Sequence, residues 1–90
     1  MLNLQFSNQF KKDYKKITKQ GKNIDEFWAV IEKLQKNEKL DEKYRDHSLT
    51  GKYKNTRECH IEPDWLLIYK ADKEKLILTT VRTGSHSELF

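Results

Sequence analysis

The run Trp65-Leu66-Leu67-Ile68-Tyr69 is apolar at every position. Side chains on a strand alternate between its two faces, so both faces here are apolar. That pattern marks a central strand in a sheet covered by helices on one side. Working outward, Pro63-Asp64 is a turn signal before this run, and the polar stretch Ala71-Asp72-Lys73-Glu74 is another after it. Strand-like runs flank both turns, Arg57 to Ile61 on one side and Lys75 to Arg82 on the other. Further upstream, Glu38 to Asn55 is a long polar connection that carries His47, and long loops in small domains often hold function.

Two helices are expected before that loop. Phe10, Tyr14 and Ile17 recur at i, i+4, i+7 and predict a helix from about Ser7 to Gln20, with Ser7 as N-cap and Gly21 as its stop. Ile24, Phe27, Ile31 and Leu34 predict a second helix beginning near Asn23, where Asn23 followed by Glu26 imitates a capping box, and ending near Asn37. Leu2 and Leu4 alternate with polar neighbours and suggest a short opening strand, Leu2 to Gln5. The expected order is β-α-α-β-β-β. This is an α+β fold in which two N-terminal helices pack on one face of a small, mainly antiparallel sheet. The tail from Thr83 to Phe90 is Gly-Ser rich, and its order is left open because termini are often mobile.

At 90 residues and 10.8 kDa the chain is expected to be one domain with a small core. Charged residues make up 36%, yet ten aromatics argue against intrinsic disorder. No apolar run is long enough to span a membrane, and the single cysteine fits a reducing compartment. A cytoplasmic location with no membrane partner is the expectation. The net charge of +4 is concentrated: residues 1–24 hold six lysines against Asp13 alone. Lys11, Lys12, Lys15, Lys16 and Lys19 lie on the polar faces of the first helix, either as a phosphate-facing surface or as a solvated helix face.

Glycines at 21, 51 and 84 are too scattered to form a phosphate loop or dinucleotide fingerprint. Cys59 and His60 are adjacent on a strand and point to opposite faces, so they do not form a nucleophile-base pair, and Cys59 reads as a packed thiol. His47, His60, Asp64 and His86 lack the spacing of a zinc motif, so neither a metal nor another cofactor is expected. What remains is acid-base chemistry. Metal-free RNA cleavage needs a base for the ribose 2′-hydroxyl, an acid for the leaving 5′-oxygen and a cation for the charge on phosphorus. Histidine suits both proton roles and arginine the third. His60, Asp64 and Trp65 crowd one edge of a hairpin, Arg82 ends the last strand, and His86 follows on the tail. Trp65 and Phe90 are candidates for stacking on unpaired bases, although His60 and Trp65 also suit a core and Arg82 a surface ion pair.

Three blocks carry a resemblance: Asp46-His47-Ser48-Leu49-Thr50-Gly51, the stretch from Arg57 through Tyr69, and Arg82-Thr83-Gly84-Ser85-His86-Ser87-Glu88-Leu89-Phe90. Together they resemble the YafQ branch of the RelE-like toxins of bacterial type II toxin-antitoxin systems, over essentially the whole chain. The resemblance implies a RelE-like fold and a ribosome-dependent mRNA endonuclease that halts translation. It implies His47, His60, Asp64, Arg82 and His86 as catalytic residues and Trp65 and Phe90 as substrate contacts. It also implies a cognate antitoxin that wraps the toxin, ribosome and mRNA as partners, and operator DNA bound only by the toxin-antitoxin complex. On that reading the lysine-rich helix docks on ribosomal RNA. A non-catalytic nucleic-acid-binding module and a ParE-like gyrase poison on the same fold are the competing readings.

Overall fold

The computed structural model describes residues 1–90, in the order β1 (Asn3–Phe6), α1 (Asn8–Lys19), α2 (Ile24–Gln35), β2 (His47–Ser48), β3 (Arg57–Glu62), β4 (Trp65–Asp72), β5 (Ile77–Gly84) and α3 (His86–Leu89). The expected α+β architecture is present. The sheet runs β1-β5-β4-β3-β2 and is antiparallel except where β1 lies parallel to β5. Two elements exceed the sequence expectation: β2, a two-residue strand within the long loop, and α3, a helical turn in the tail.

The helix ends follow from local chemistry. Ser7 Oγ accepts the amide of Phe10, and α1 stops where Gly21 takes φ +76°. There the Lys22 amide reaches Ile17 O and the Gly21 amide reaches Thr18 O, the two bonds of a Schellman cap. Asn37, at φ 60°, closes α2 in the same way. At the start of α2, Asn23 caps the Asp25 amide directly. Phe10, Ile17, Phe27, Val30 and Ile31 then pack against Cys59, Ile61, Trp65, Leu67, Tyr69 and Leu78 on one face of the sheet.

The opposite face remains open, and two irregularities decide what it presents. The register of β4 against β5 passes from Ile68↔Arg82 to Tyr69↔Thr80, leaving Val81 as an extra residue. Without that bulge Arg82 would share the helix-covered face with Leu78 and Thr80; with it, Arg82 shares the face of Ile68. Ser7 pins the bulge, since its hydroxyl donates to Val81 O at 2.6 Å and its amide to Thr80 O at 3.0 Å. A second shift, at Ile61, separates His60↔Leu66 from Glu62↔Trp65.

α3 covers part of the open face. Ser85 and Glu88 form a reciprocal capping box. Gly84, at φ +155°, leaves room for it, because a Cβ there would meet Glu88 Oε1 at 3.0 Å. Leu89 is buried with Tyr53, Leu66 and Ile68. Fixing four residues costs roughly 1–2 kcal/mol each in backbone entropy. Burying one leucine returns only about 1.5–3 kcal/mol. The turn therefore depends on its polar anchors, including the ion pair of Glu88 with Lys16 of α1.

Glu88 is held down to about 2 by the Lys16 ammonium and the Ser85 amide. A carboxylate whose pKa is depressed in the folded state stabilises that state above its ordinary value, and the contribution is lost as pH falls through the depressed one. We predict that α3 stays docked at pH 5 and loosens between pH 4.5 and about 2. Hydrogen exchange of the Leu89 and Phe90 amides checks this. Glu88→Gln should raise their exchange at pH 5, and protection that stays constant down to pH 2 would contradict the account.

Candidate active site

Alternation along β3 puts Glu58 and His60 on the open face and Cys59 beneath it. Cys59 is fully buried, and burial pushes its thiol well above the ordinary range, as expected of a packed residue. His47 of β2 pairs in register with Glu58 and so joins the same face. α3 brings His86 over these residues from the other end of the chain. The ring centroids of His60 and His86 are 5.4 Å apart, and those of His47 and His60 are 6.4 Å apart. Glu58, 5% exposed, lies among them, its Oε1 3.2 Å from His60 Nε2 and 3.7 Å from His47 Nε2.

Each ring is oriented through Nδ1. In His86, Nδ1 lies 2.7 Å from Asp64 Oδ1, and that oxygen also accepts the His86 amide at 3.0 Å. The amide and the ring together hold the Asp64 carboxyl below its usual range. In His47, Nδ1 lies 2.7 Å from Arg45 O, on a residue in the left-handed region at φ 50°. In His60, Nδ1 lies 3.3 Å from Pro63 O. An Nδ1–H facing oxygen leaves Nε2 of His47 and His86 as the basic nitrogen. His60 differs, because both of its nitrogens lie near oxygens, Nδ1 by Pro63 O and Nε2 by Glu58 Oε1. The loop that carries His47 is anchored by Asp46, which accepts from Tyr69 Oη at 2.6 Å and from Arg57 Nε at 3.2 Å.

Arg82 lies on the same face, at the β5 side. Its Nε and Nη2 donate to both oxygens of Asp13 at 2.9 and 3.0 Å, and the Thr83 amide adds a bond of 3.2 Å to Asp13. Asp13 is buried, so this bidentate pair fixes the guanidinium plane. The pair with Asp13 raises Arg82 further above its already high range. Tyr53 stacks edge-on against Phe90 with centroids 5.6 Å apart, and Phe90 is 64% exposed. α3 thus bridges two groups, with His86 beside His60 and Phe90 following against Tyr53.

The structure brings together His47, His60, Asp64 and His86, with Arg82 and Phe90 on the adjacent part of the same face. It corrects one expectation. Trp65 is fully buried, its indole N–H donating to Thr83 Oγ1 at 2.8 Å, so it has no face to offer a base and belongs to the core. Glu58 was missed, although its i, i+2 relation to His60 is a sequence signal for a shared face. Asp13 was missed as well, and its contact across 69 residues leaves no local trace. The lysines of α1 divide: Lys12 and Lys16 line a 250 Å³ cleft with Asp13, Arg82 and Glu88, while Lys11 and Lys15 lie on the other flank.

One nitrogen or oxygen from each of Glu58, His60 and His86 lies within 4.8 Å of the others. Two imidazoles and a carboxylate, with each ring's second nitrogen facing an oxygen, are a donor set able to hold a divalent transition metal.

Comparison with known proteins gives a consistent set. The model of the YafQ family, described as the bacterial toxin of a type II toxin-antitoxin system, matches residues 2–90. A protein of Escherichia coli strain K12 named mRNA interferase toxin YafQ is 38% identical over 88 residues, 97% of this chain and 94% of its own. A metal-bound toxin from Helicobacter pylori is 43% identical, with a TM-score of 0.94 over the whole of both chains. The toxin chain of the E. coli DinJ-YafQ complex is 36% identical, with a TM-score of 0.90 over 100% of this chain and 99% of that one.

On the expected metal-free RNA cleavage with Arg82 as its cation, Asp13→Asn should lower the cleavage rate by about tenfold or more, the loss expected when that cation is released from its orientation. The same change made in an Arg82→Ala background should add little. A double-mutant cycle on cleavage rate, read beside thermal melting, separates this from general destabilisation. Additive losses would contradict the coupling.

Proposed function

The chain belongs to the YafQ family of bacterial toxins of type II toxin-antitoxin systems, and from that premise we propose that it is an mRNA endonuclease that cuts messenger on the ribosome by general acid-base catalysis. The observation that carries this reading is the array Asp64–His86–His60–Glu58 on the open face of the sheet. His86, with Asp64 on Nδ1 and a ring about half exposed, presents Nε2 as the base that takes the 2′-hydroxyl proton. His60, between Pro63 O and Glu58, is the acid that protonates the leaving 5′-oxygen. Attack of the 2′-oxygen on phosphorus breaks the bond to the 5′-oxygen and leaves a 2′,3′-cyclic phosphate and a 5′-hydroxyl. Arg82, aimed by Asp13, takes the charge that builds on the phosphoryl oxygens. His47 contacts the substrate beside Glu58, and exposed Phe90 stacks on a base.

The lysines of α1, Lys11, Lys12, Lys15 and Lys19, with Lys16 paired to Glu88, supply the grip on ribosomal RNA, a contribution that falls as salt rises. Because the protein's own groups are few and its face is shallow, the ribosome holds the messenger in place, and cleavage of naked RNA is weak. The partner that restrains the toxin is a cognate antitoxin, as the E. coli relative is crystallised with DinJ. Operator DNA is met only by that complex, and the setting is the cytoplasm.

His86→Ala should abolish growth arrest and ribosome-dependent cleavage while antitoxin binding persists. Mapping of RNA ends on translating ribosomes reads both the cut and its chemistry, and a fully toxic variant would overturn the assignment. The cation-capable cluster yields a second prediction. A metal held by Glu58, His60 and His86 takes up the nitrogens that transfer protons, so micromolar Zn²⁺ or Cu²⁺ should inhibit cleavage and chelation should relieve it. Activity lost on chelation and regained with metal would make the cation a cofactor instead.

A further inference from the structure

On the helix side of the molecule, across the sheet from the histidines, four aromatic residues line a concave groove of 390 Å³ with two lysines on its rim. The rings are Phe6 at the end of β1, Phe10 and Tyr14 of α1, and Trp28 of α2; the lysines are Lys11 and Lys15. Phe6 and Trp28 are 39% and 41% exposed. Chains this small seldom leave large aromatics clustered in water without a binding purpose.

Two features indicate what the groove takes. Its lining is almost wholly apolar, and the one indole N–H, that of Trp28, is taken up by Tyr14 Oη at 3.3 Å. Its rings are engaged with one another: Phe6 stacks on Phe10 at 5.3 Å and 12°, and Trp28 meets both Tyr14 and Phe27 edge-on. Apart from the Tyr14 hydroxyl these rings offer no polar group to read a base edge, and ring faces are partly covered against stacking. An apolar cleft of this kind suits aliphatic side chains from a peptide. The rim carries only positive charge, so the complementary peptide is acidic.

We propose that this groove seats an acidic, amphipathic segment of the cognate antitoxin, whose aliphatic side chains fill the cleft while its carboxylates pair with Lys11 and Lys15. The inference rests on the antitoxin reading above and adds where that partner docks. It has a functional consequence. A segment seated here does not touch His60 or His86; it neutralises two of the α1 lysines, and so competes with ribosomal RNA.

The test uses the full chain and the antitoxin protein encoded with it. Trp28 and Trp65 are the only tryptophans, and Trp65 is sealed in the core, so a change in fluorescence on binding reports Trp28. Adding antitoxin to the wild-type chain should shift its emission to the blue. A Phe6→Ser, Trp28→Ser double variant should bind the antitoxin at least about tenfold more weakly by calorimetry, as loss of a central aromatic anchor does, and should still cleave mRNA on ribosomes. Retained cleavage shows that this variant is folded, and the wild-type fluorescence arm needs no variant. Tight antitoxin binding with unshifted Trp28 emission and undiminished affinity in the double variant overturns the groove assignment and leaves the antitoxin reading standing. A wild-type chain that binds no antitoxin overturns both. Trp28 emission quenched by a single-stranded RNA oligonucleotide but unmoved by antitoxin assigns the groove to nucleic acid and overturns the proposal.

Discussion

One carboxylate oxygen of Asp64 accepts both the backbone amide and the ring N–H of His86, at 3.0 and 2.7 Å. The rest of the open face depends on this pair of bonds. A four-residue helix has too little apolar burial to order itself. Asp64 ties its first residue to the β3-β4 turn, and Lys16 ties Glu88 to α1. With both ends held, Leu89 packs on Leu66 and Ile68, His86 lies above His60, and Phe90 lies against Tyr53. Remove the anchor and the histidines lose the member that comes from the far end of the chain.

The two faces of the sheet divide the labour. One is closed by α1 and α2 and supplies the packing that makes a 90-residue chain stable. The other carries the histidines, and its composition depends on a single extra residue. The bulge at Val81 turns Arg82 away from the helix layer, and Ser7 holds that bulge while it caps α1. Asp13, two turns further along α1, then fixes the guanidinium. The lysine-rich helix is therefore joined to the open face mechanically, since the same helix that carries the lysines also holds the arginine.

Much of this was legible in the sequence. The apolar run from Trp65 to Tyr69 set the central strand, and the periodicities around Phe10 and Phe27 set both helices and, with Ser7 and Gly21, the limits of the first. The opposite facing of Cys59 and His60 followed from strand alternation. Other features were visible and were not drawn out. Ser85-x-x-Glu88 is a capping-box spacing, so the tail carried its own helix signal. Glu58 stands two residues before His60 and had to share its face. Trp65 suited either a base contact or the core by its sequence, and it is core because the strand begins at that residue and buries it at once. The Asp13–Arg82 pair and the bulge at Val81 were beyond reach, since both arise from tertiary contacts between the first helix and the last strand.

If His86 takes the 2′-hydroxyl proton and His60 supplies the one that the leaving oxygen needs, replacing the scissile 5′-oxygen of a ribosome-bound mRNA by sulfur separates the two roles. A thiolate leaves without a general acid. The sulfur substitution should restore cleavage to His60→Ala and leave His86→Ala inactive. Rescue of His86→Ala in place of His60→Ala, or of neither, would contradict it.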